Sequence, residues 1–81
     1  MNVYLIRQDD SYLYGELLNS AVVIAESVKD ARSTLASHLR KNESITWDPT
    51  MWMIIKLGNN AKLPSDSDKR IVCKDTVQKD Y

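Results

Sequence analysis

The chain has 81 residues, 43% of them apolar, and its eleven basic residues balance eleven acidic ones for a net charge of zero. That length holds one domain rather than two, buries only ~60% of the surface its unfolded form exposes, and is too apolar for a disordered segment. Zero net charge excludes a global field that would draw the chain onto nucleic acid or an anionic membrane, so either partner would need a local patch.

Val3–Arg7 opens the chain as a strand with apolar residues on both faces: Val3 and Leu5 on one, Tyr4 and Ile6 on the other. Gln8–Ser11 is turn-forming by composition, and Tyr12–Glu16 is either a strand end or a loop packed by its tyrosines. Ser20–Glu26 reads as the second strand, with Val22 and Ile24 on one face and Ala21, Val23 and Ala25 on the other. A helix follows at once. Ser27 is its N-cap, and Asp30 three residues on places a carboxylate at the positive end of the helix dipole. Val28, Ala31, Leu35 and Leu39 recur at spacings of three and four, flanked by Arg32 and Ala36, and predict an amphipathic helix of about three turns. Arg40 and Lys41 complement its negative end.

Trp47-Asp48-Pro49 is a turn, because Pro49 biases Asp48 away from helical geometry. Met51–Leu57 is the third strand. Met51, Met53, Ile55 and Leu57 share one face, expected to meet the helix, and Trp52, Ile54 and Lys56 share the other. Gly58-Asn59-Asn60 ends it with residues that tolerate positive φ. Leu63–Asp68, containing Pro64, is a loop. Arg70–Lys74 is a last short strand, with Ile71 and Cys73 on one face. The order is ββαββ. It predicts an α+β domain over residues 1–74: a mainly antiparallel four-stranded sheet with one amphipathic helix packed on one face. The strand after the helix is expected beside the first strand, and residues 75–81 are expected to fray as a charged tail.

The chemistry-bearing residues are sparse. His38 is the only histidine, and Cys73, the only cysteine, lies 35 residues away, so no nucleophile–base pair is signalled. A single cysteine forms no internal disulfide and suits a reducing compartment. Asp9 and Asp10 are adjacent and diverge. Asp66-Ser67-Asp68 lacks the glycine and distal glutamate of a calcium loop. These features predict no catalytic site, no metal and no cofactor. No apolar run reaches the ~18 residues of a membrane helix, and the first residues lack a secretory-signal pattern; the expectation is a cytoplasmic protein with no membrane association.

Binding remains. Arg32, Arg40 and Lys41 make a small basic patch along the helix that would serve a nucleic-acid-associated regulator, although Asp30 and Glu43 interrupt it. A protein partner is the leading expectation. If the helix covers the Met51-Met53-Ile55-Leu57 face, the opposite face carries Tyr4, Ile6, Trp52 and Ile54, with Ile24 or Val22. That face is either open, and adhesive, or closed by the Tyr12-Leu13-Tyr14 segment and Trp47. The expected contact residues are Tyr12, Tyr14, Trp47 and Trp52 as anchors, with Asp9, Asp10 and Glu16 as a polar rim. A homodimer through the open face or an edge strand is a third reading.

Val3-Tyr4-Leu5-Ile6-Arg7, the acidic, tyrosine-containing loop, Ala21–Ser27 and Asp30-Ala31-Arg32 together resemble small proteins encoded by phages and prophages, as do Trp47-Asp48-Pro49 and Ile55-Lys56-Leu57-Gly58. The layout is also similar to that of small phage inhibitors of bacterial immunity, anti-CRISPR proteins among them. The resemblance covers most of the chain through structural positions. It implies a non-enzymatic accessory protein in the cytoplasm of a bacterial host, binding a host protein such as a CRISPR-type defence complex and inhibiting it sterically. Many inhibitors that mimic nucleic acid are strongly acidic, and this chain is neutral.

Overall fold

A computed structural model describes residues 1–9, 13–41, 45–62 and 70–79. They form an α+β fold with strands β1 (Asn2–Gln8), β2 (Gly15–Ala25), β3 (Trp52–Gly58) and β4 (Ile71–Lys79), helix α1 (Val28–Arg40), and a single 3₁₀ turn, Pro49–Met51. The four strands make one antiparallel sheet in the order β3-β1-β2-β4, with the strand after the helix beside β1 as expected. Asp10, Tyr12, Glu43, Pro64, Asp66 and Asp68 lie outside the described residues.

The helix begins where the sequence places it. Ser27 is extended (φ −154°), and its hydroxyl accepts from the Asp30 backbone N–H at 3.1 Å. The Asp30 carboxylate reaches back to the Glu26 N–H at 2.9 Å, so two orphan donors are satisfied reciprocally. Ala31, Leu35, Ala36 and Leu39 are buried, whereas Val28, expected on the apolar stripe, is exposed in the first turn. At the other end, Lys41 N–H closes onto the His38 carbonyl at 3.2 Å. Asp48 caps the 3₁₀ turn by accepting from the Thr50 N–H at 3.0 Å. Asn60, after β3, has a φ of 62°, the left-handed geometry that asparagine tolerates.

Two strands are longer than expected, and each explains the other. β2 starts at Gly15 instead of Ser20, and β4 runs to Lys79 instead of Lys74. Gly15–Leu18 pairs with Thr76–Lys79. Residues 75–79 are therefore strand, correcting the expected frayed tail; residues 80–81 lie outside the described residues. Bulges interrupt the ladder near Asn19, between Val22 and Val23, and between Val3 and Tyr4, adding local twist.

The helix covers the opposite face of the sheet from the one expected. The core comprises Tyr4, Ile6, Leu18, Ala21, Val23 and Ala25 from the sheet, the four buried helix residues, and Ile45 and Trp52, with Trp47, Ile54 and Ile71 packed against it. Beyond Leu18 the side chains of β2 on this face are small or β-branched (Ala21, Val23, Ala25), and two of the buried helix residues are alanine, a composition that lets backbone and helix approach closely. The Tyr4–Ile6–Trp52–Ile54 face is thus the closed one, and Met53, Ile55 and Leu57 stand on the open one.

Candidate functional site: the open face of the sheet

The strand registers order the open face into rows running across the sheet. Ile55, Leu5, Val22 and Cys73 form one row; Val3 and Ile24 form the next, with Leu57 at the β3 bulge beside them; Met53, Arg7, Ser20 and Asp75 form the row on the other side. Met53, Ile55 and Leu57 are 61%, 41% and 57% exposed, and Val3, Leu5, Val22 and Ile24 are partly exposed. Arg7, Cys73 and Asp75 are exposed. Among the described residues no element lies across these rows. At strand spacings of ~4.8 Å and ~3.4 Å per residue the three rows cover roughly 320 Å² in plan. A contiguous apolar area of this order on a small protein marks a contact surface.

Next to Met53 and Arg7, the end of β1 and the start of β3 frame a cleft of about 580 Å³, lined by Gln8, Asp9, Thr50, Met51 and Trp52. Gln8 is buried and organises this corner. Its Oε1 accepts from Trp52 Nε1 at 2.9 Å and from the Asp48 N–H at 2.8 Å, and its Nε2 donates to the Asp9 carbonyl at 2.9 Å. A buried amide with its acceptor doubly used ties β1, β3 and the intervening turn together.

The expected anchors divide. Trp52 is 7% exposed and belongs to the core. Trp47 is half-buried and stacks on Trp52, with ring centroids 5.7 Å apart and planes inclined by 25°. The pair closes the end of the core instead of projecting from it, which corrects both residues as surface anchors. Tyr14 is 40% exposed, with Lys79 Nζ over its ring at 5.7 Å. Asp9 and Glu16 are exposed. Asp9 N–H donates to the Met51 carbonyl at 3.1 Å, and the Glu16 carbonyl accepts from Thr46 N–H at 2.8 Å. Asp9, Tyr14, Glu16, Trp47 and Trp52 all lie at one end of the sheet, but as a capped corner and rim. Tyr12 and Asp10 fall outside the described residues. The residues missed by the sequence reading are Met53, Ile55 and Leu57, whose alternation was legible but assigned to the helix side.

The helix-side surface has its own chemistry. Arg70 Nε donates to the Ile24 carbonyl at 3.0 Å, and its guanidinium forms an ion pair with Asp30. The Glu26 N–H on the Asp30 carboxylate, helped by Arg70, holds the Asp30 pKa below its ordinary value against the opposing effect of burial. Beside them a cleft of about 280 Å³ is lined by Ser33, Thr34, Ser37, His38 and Lys41, and Lys74 Nζ lies 3.5 Å from His38 Nε2. Of the basic residues expected to form a nucleic-acid patch, Arg40 and Lys41 are exposed. Arg32 is half-buried and donates to the Pro49 carbonyl at 2.6 Å, so it braces the 3₁₀ turn and stands apart from the other two. Lys74 and His38 lie on the helix side of the sheet and Cys73 on the open side, so thiol and imidazole are separated by the sheet itself. Among the described residues no cluster of three or more His, Cys, Asp or Glu could hold a metal ion. Among them, too, no helix is long and apolar enough to cross a membrane.

Among the described residues, fold and surface thus define a class: a single helix on one face of a four-stranded antiparallel sheet whose other face is apolar and has no element packed across it. Comparison of the chain with protein-family models, curated proteins and solved structures gives no match.

Proposed function

We propose that this chain is a non-enzymatic binding protein that grips another protein through the open face of its sheet and acts by occluding the surface it covers. One observation carries the reading: Met53, Ile55 and Leu57 stand exposed beside Val3, Leu5, Val22 and Ile24 with nothing packed across them among the described residues. Burying such rows is the largest favourable term available to a surface of this composition. Arg7 and Asp75 at one edge supply a polar rim. The resemblance to phage and prophage proteins suggests the class of partner, a host protein such as a CRISPR-type defence complex, and steric inhibition without turnover as the mode of action.

The experiment compares wild type with Ile55→Lys and Leu57→Glu as baits in bacterial lysate, followed by measurement of affinity with each purified candidate. Both side chains are exposed, so both variants fold. Expected is a partner whose affinity falls by ~30-fold or more, the mark of a central contact residue worth ~2 kcal/mol. Retention by both variants, with loss on substituting Arg40 and Lys41, would move the function to the helix. A steep fall of affinity with salt would then identify the ligand as nucleic acid.

A further inference from the structure

We infer that the cleft between helix α1 and strand β4 binds the phosphate group of a small phosphate monoester. The site lies on the helix side of the sheet and is independent of the open face.

The topology brings two lines of side chains together there. The helix packs on β2, and β4 is the next strand out, so one flank of the helix faces the helix-side residues of β4. On α1, Ser33, Ser37 and Lys41 follow at intervals of four and form one line, with His38 beside it. On β4, Lys74 pairs with the core residue Ala21, which turns its side chain to the same side of the sheet. The two lines meet where Lys74 Nζ lies 3.5 Å from His38 Nε2. The cleft they border has a volume of about 280 Å³.

The charge gathered here is of one sign. The acid lining the cleft among the described residues is Asp30, about three helical turns from Lys41, ion-paired with Arg70 and accepting from the Glu26 N–H. Asp30 and Arg70 cancel. Lys41 and Lys74 bring two positive charges, and His38 a third when protonated. The helix C-terminus opposes them with roughly half a negative charge, too little to offset two. A chain of zero net charge has thus collected cations around one concave spot.

These donors suit a phosphate dianion. A phosphate monoester carries ~2 negative charges near neutral pH and three terminal oxygens, whereas a carboxylate carries one charge and two oxygens. Lys41, Lys74 and the Ser37 hydroxyl supply a donor for each of the three. At 3.5 Å apart, Lys74 Nζ and a protonated His38 Nε2 both reach a single oxygen at the ~2.8 Å of a charge-assisted bond. A nucleic-acid strand needs cations strung along a groove; here they converge, and Arg32 farther along the helix is committed to the Pro49 carbonyl. The volume falls just below the ~300 Å³ at which drug-sized pockets begin, room for a phosphate group and the first atoms of its substituent.

The experiment titrates the full chain, at fixed pH and ionic strength, with inorganic phosphate, ribose 5-phosphate and an oligonucleotide lacking terminal phosphates. The readout is the ring signal of His38 by NMR, unambiguous because His38 is the only histidine. Expected is a saturable shift with phosphate and with ribose 5-phosphate, at midpoints on the order of 1 mM or below. Lys74→Gln should raise the midpoint about tenfold and Ser37→Ala about threefold. Neither residue belongs to the core, so circular dichroism should be unchanged. Lys56→Gln, at the opposite edge of the sheet, should leave the midpoint as it is. A His38 signal that fails to saturate, or moves equally with chloride, overturns the site, as does a Lys74→Gln midpoint equal to that of Lys56→Gln. Saturation by phosphate but not by ribose 5-phosphate overturns the monoester in favour of the free ion. Tighter binding of the oligonucleotide, weakening steeply with salt, overturns it in favour of nucleic acid.

Discussion

Replacing Trp52 by alanine separates a core residue from a contact residue. The indole is 7% exposed, stacks on Trp47 and donates to Gln8 Oε1. Truncating a buried tryptophan costs ~3–5 kcal/mol in transfer and cavity terms. Gln8 Oε1 keeps its second donor, the Asp48 N–H, so no buried acceptor is orphaned and no further penalty is added. At ~0.05–0.15 kcal/mol per residue, a chain of this length is stable by roughly 4–12 kcal/mol. Trp52→Ala therefore removes about a quarter or more of the total and lowers a urea midpoint by ~3 M or more, since small domains have slopes near ~1 kcal/mol/M. Trp52→Phe keeps most of the ring and loses only the N–H bond, for ~1 kcal/mol of hydrogen bonding. The assay is urea unfolding followed by far-UV circular dichroism. If Trp52→Ala left the midpoint within ~0.5 M of wild type, the packing account of this corner would be refuted and Trp52 would return to the list of surface anchors.

Three further perturbations probe the framework that presents the open face. Asp30 has a depressed pKa, so its contribution to stability is fully present above the ordinary value of 3.8 and is lost as pH falls through the lower folded value. The stability difference between wild type and Asp30→Asn should accordingly shrink below about pH 4 in urea titrations run at successive pH values, and a constant difference would contradict it. Ser27→Ala removes the cap on the Asp30 N–H and should cost ~1 kcal/mol, read as a lower melting temperature. Gly15 has φ +94°, and a Cβ there would come no nearer than 4.0 Å to Thr46 Oγ1. Gly15→Ala should thus cost ~1–2 kcal/mol through backbone strain alone, with the fold unchanged by circular dichroism.

The N-cap at Ser27 and the left-handed Asn60 were legible because each is set by neighbours in the chain, and the place of β3 beside β1 followed from the order of elements around the helix. The two long-range extensions were not. Residues 75–79 read as a charged tail, and Gly15–Leu18 as an uncertain strand end. Each becomes a strand by pairing with the other, and pairing across some 60 residues leaves little trace in either segment alone. Asp9, Tyr14 and Glu16 stand at one end of the sheet, whereas the two tryptophans, expected as surface anchors, pack into the core that the helix covers.

The inverted face follows from the same limit. β1 and β3 are apolar on both sides, so alternation could not say which side meets the helix. The helix in fact lies over β2, leaving Lys56 exposed at a corner of the covered face. A steric feature accompanies this placement: Ala21, Val23 and Ala25 of β2 and Ala31 and Ala36 of the helix belong to one buried core. Small against small lets a helix settle close to a sheet, and the end it leaves unfilled then requires large side chains, supplied by Trp47 and Trp52. Among the described residues the face opposite these alanines is the one with no element packed across it, and Met53, Ile55 and Leu57 stand on it. The tryptophans are consumed in closing the core, so aliphatic side chains are left to do the binding.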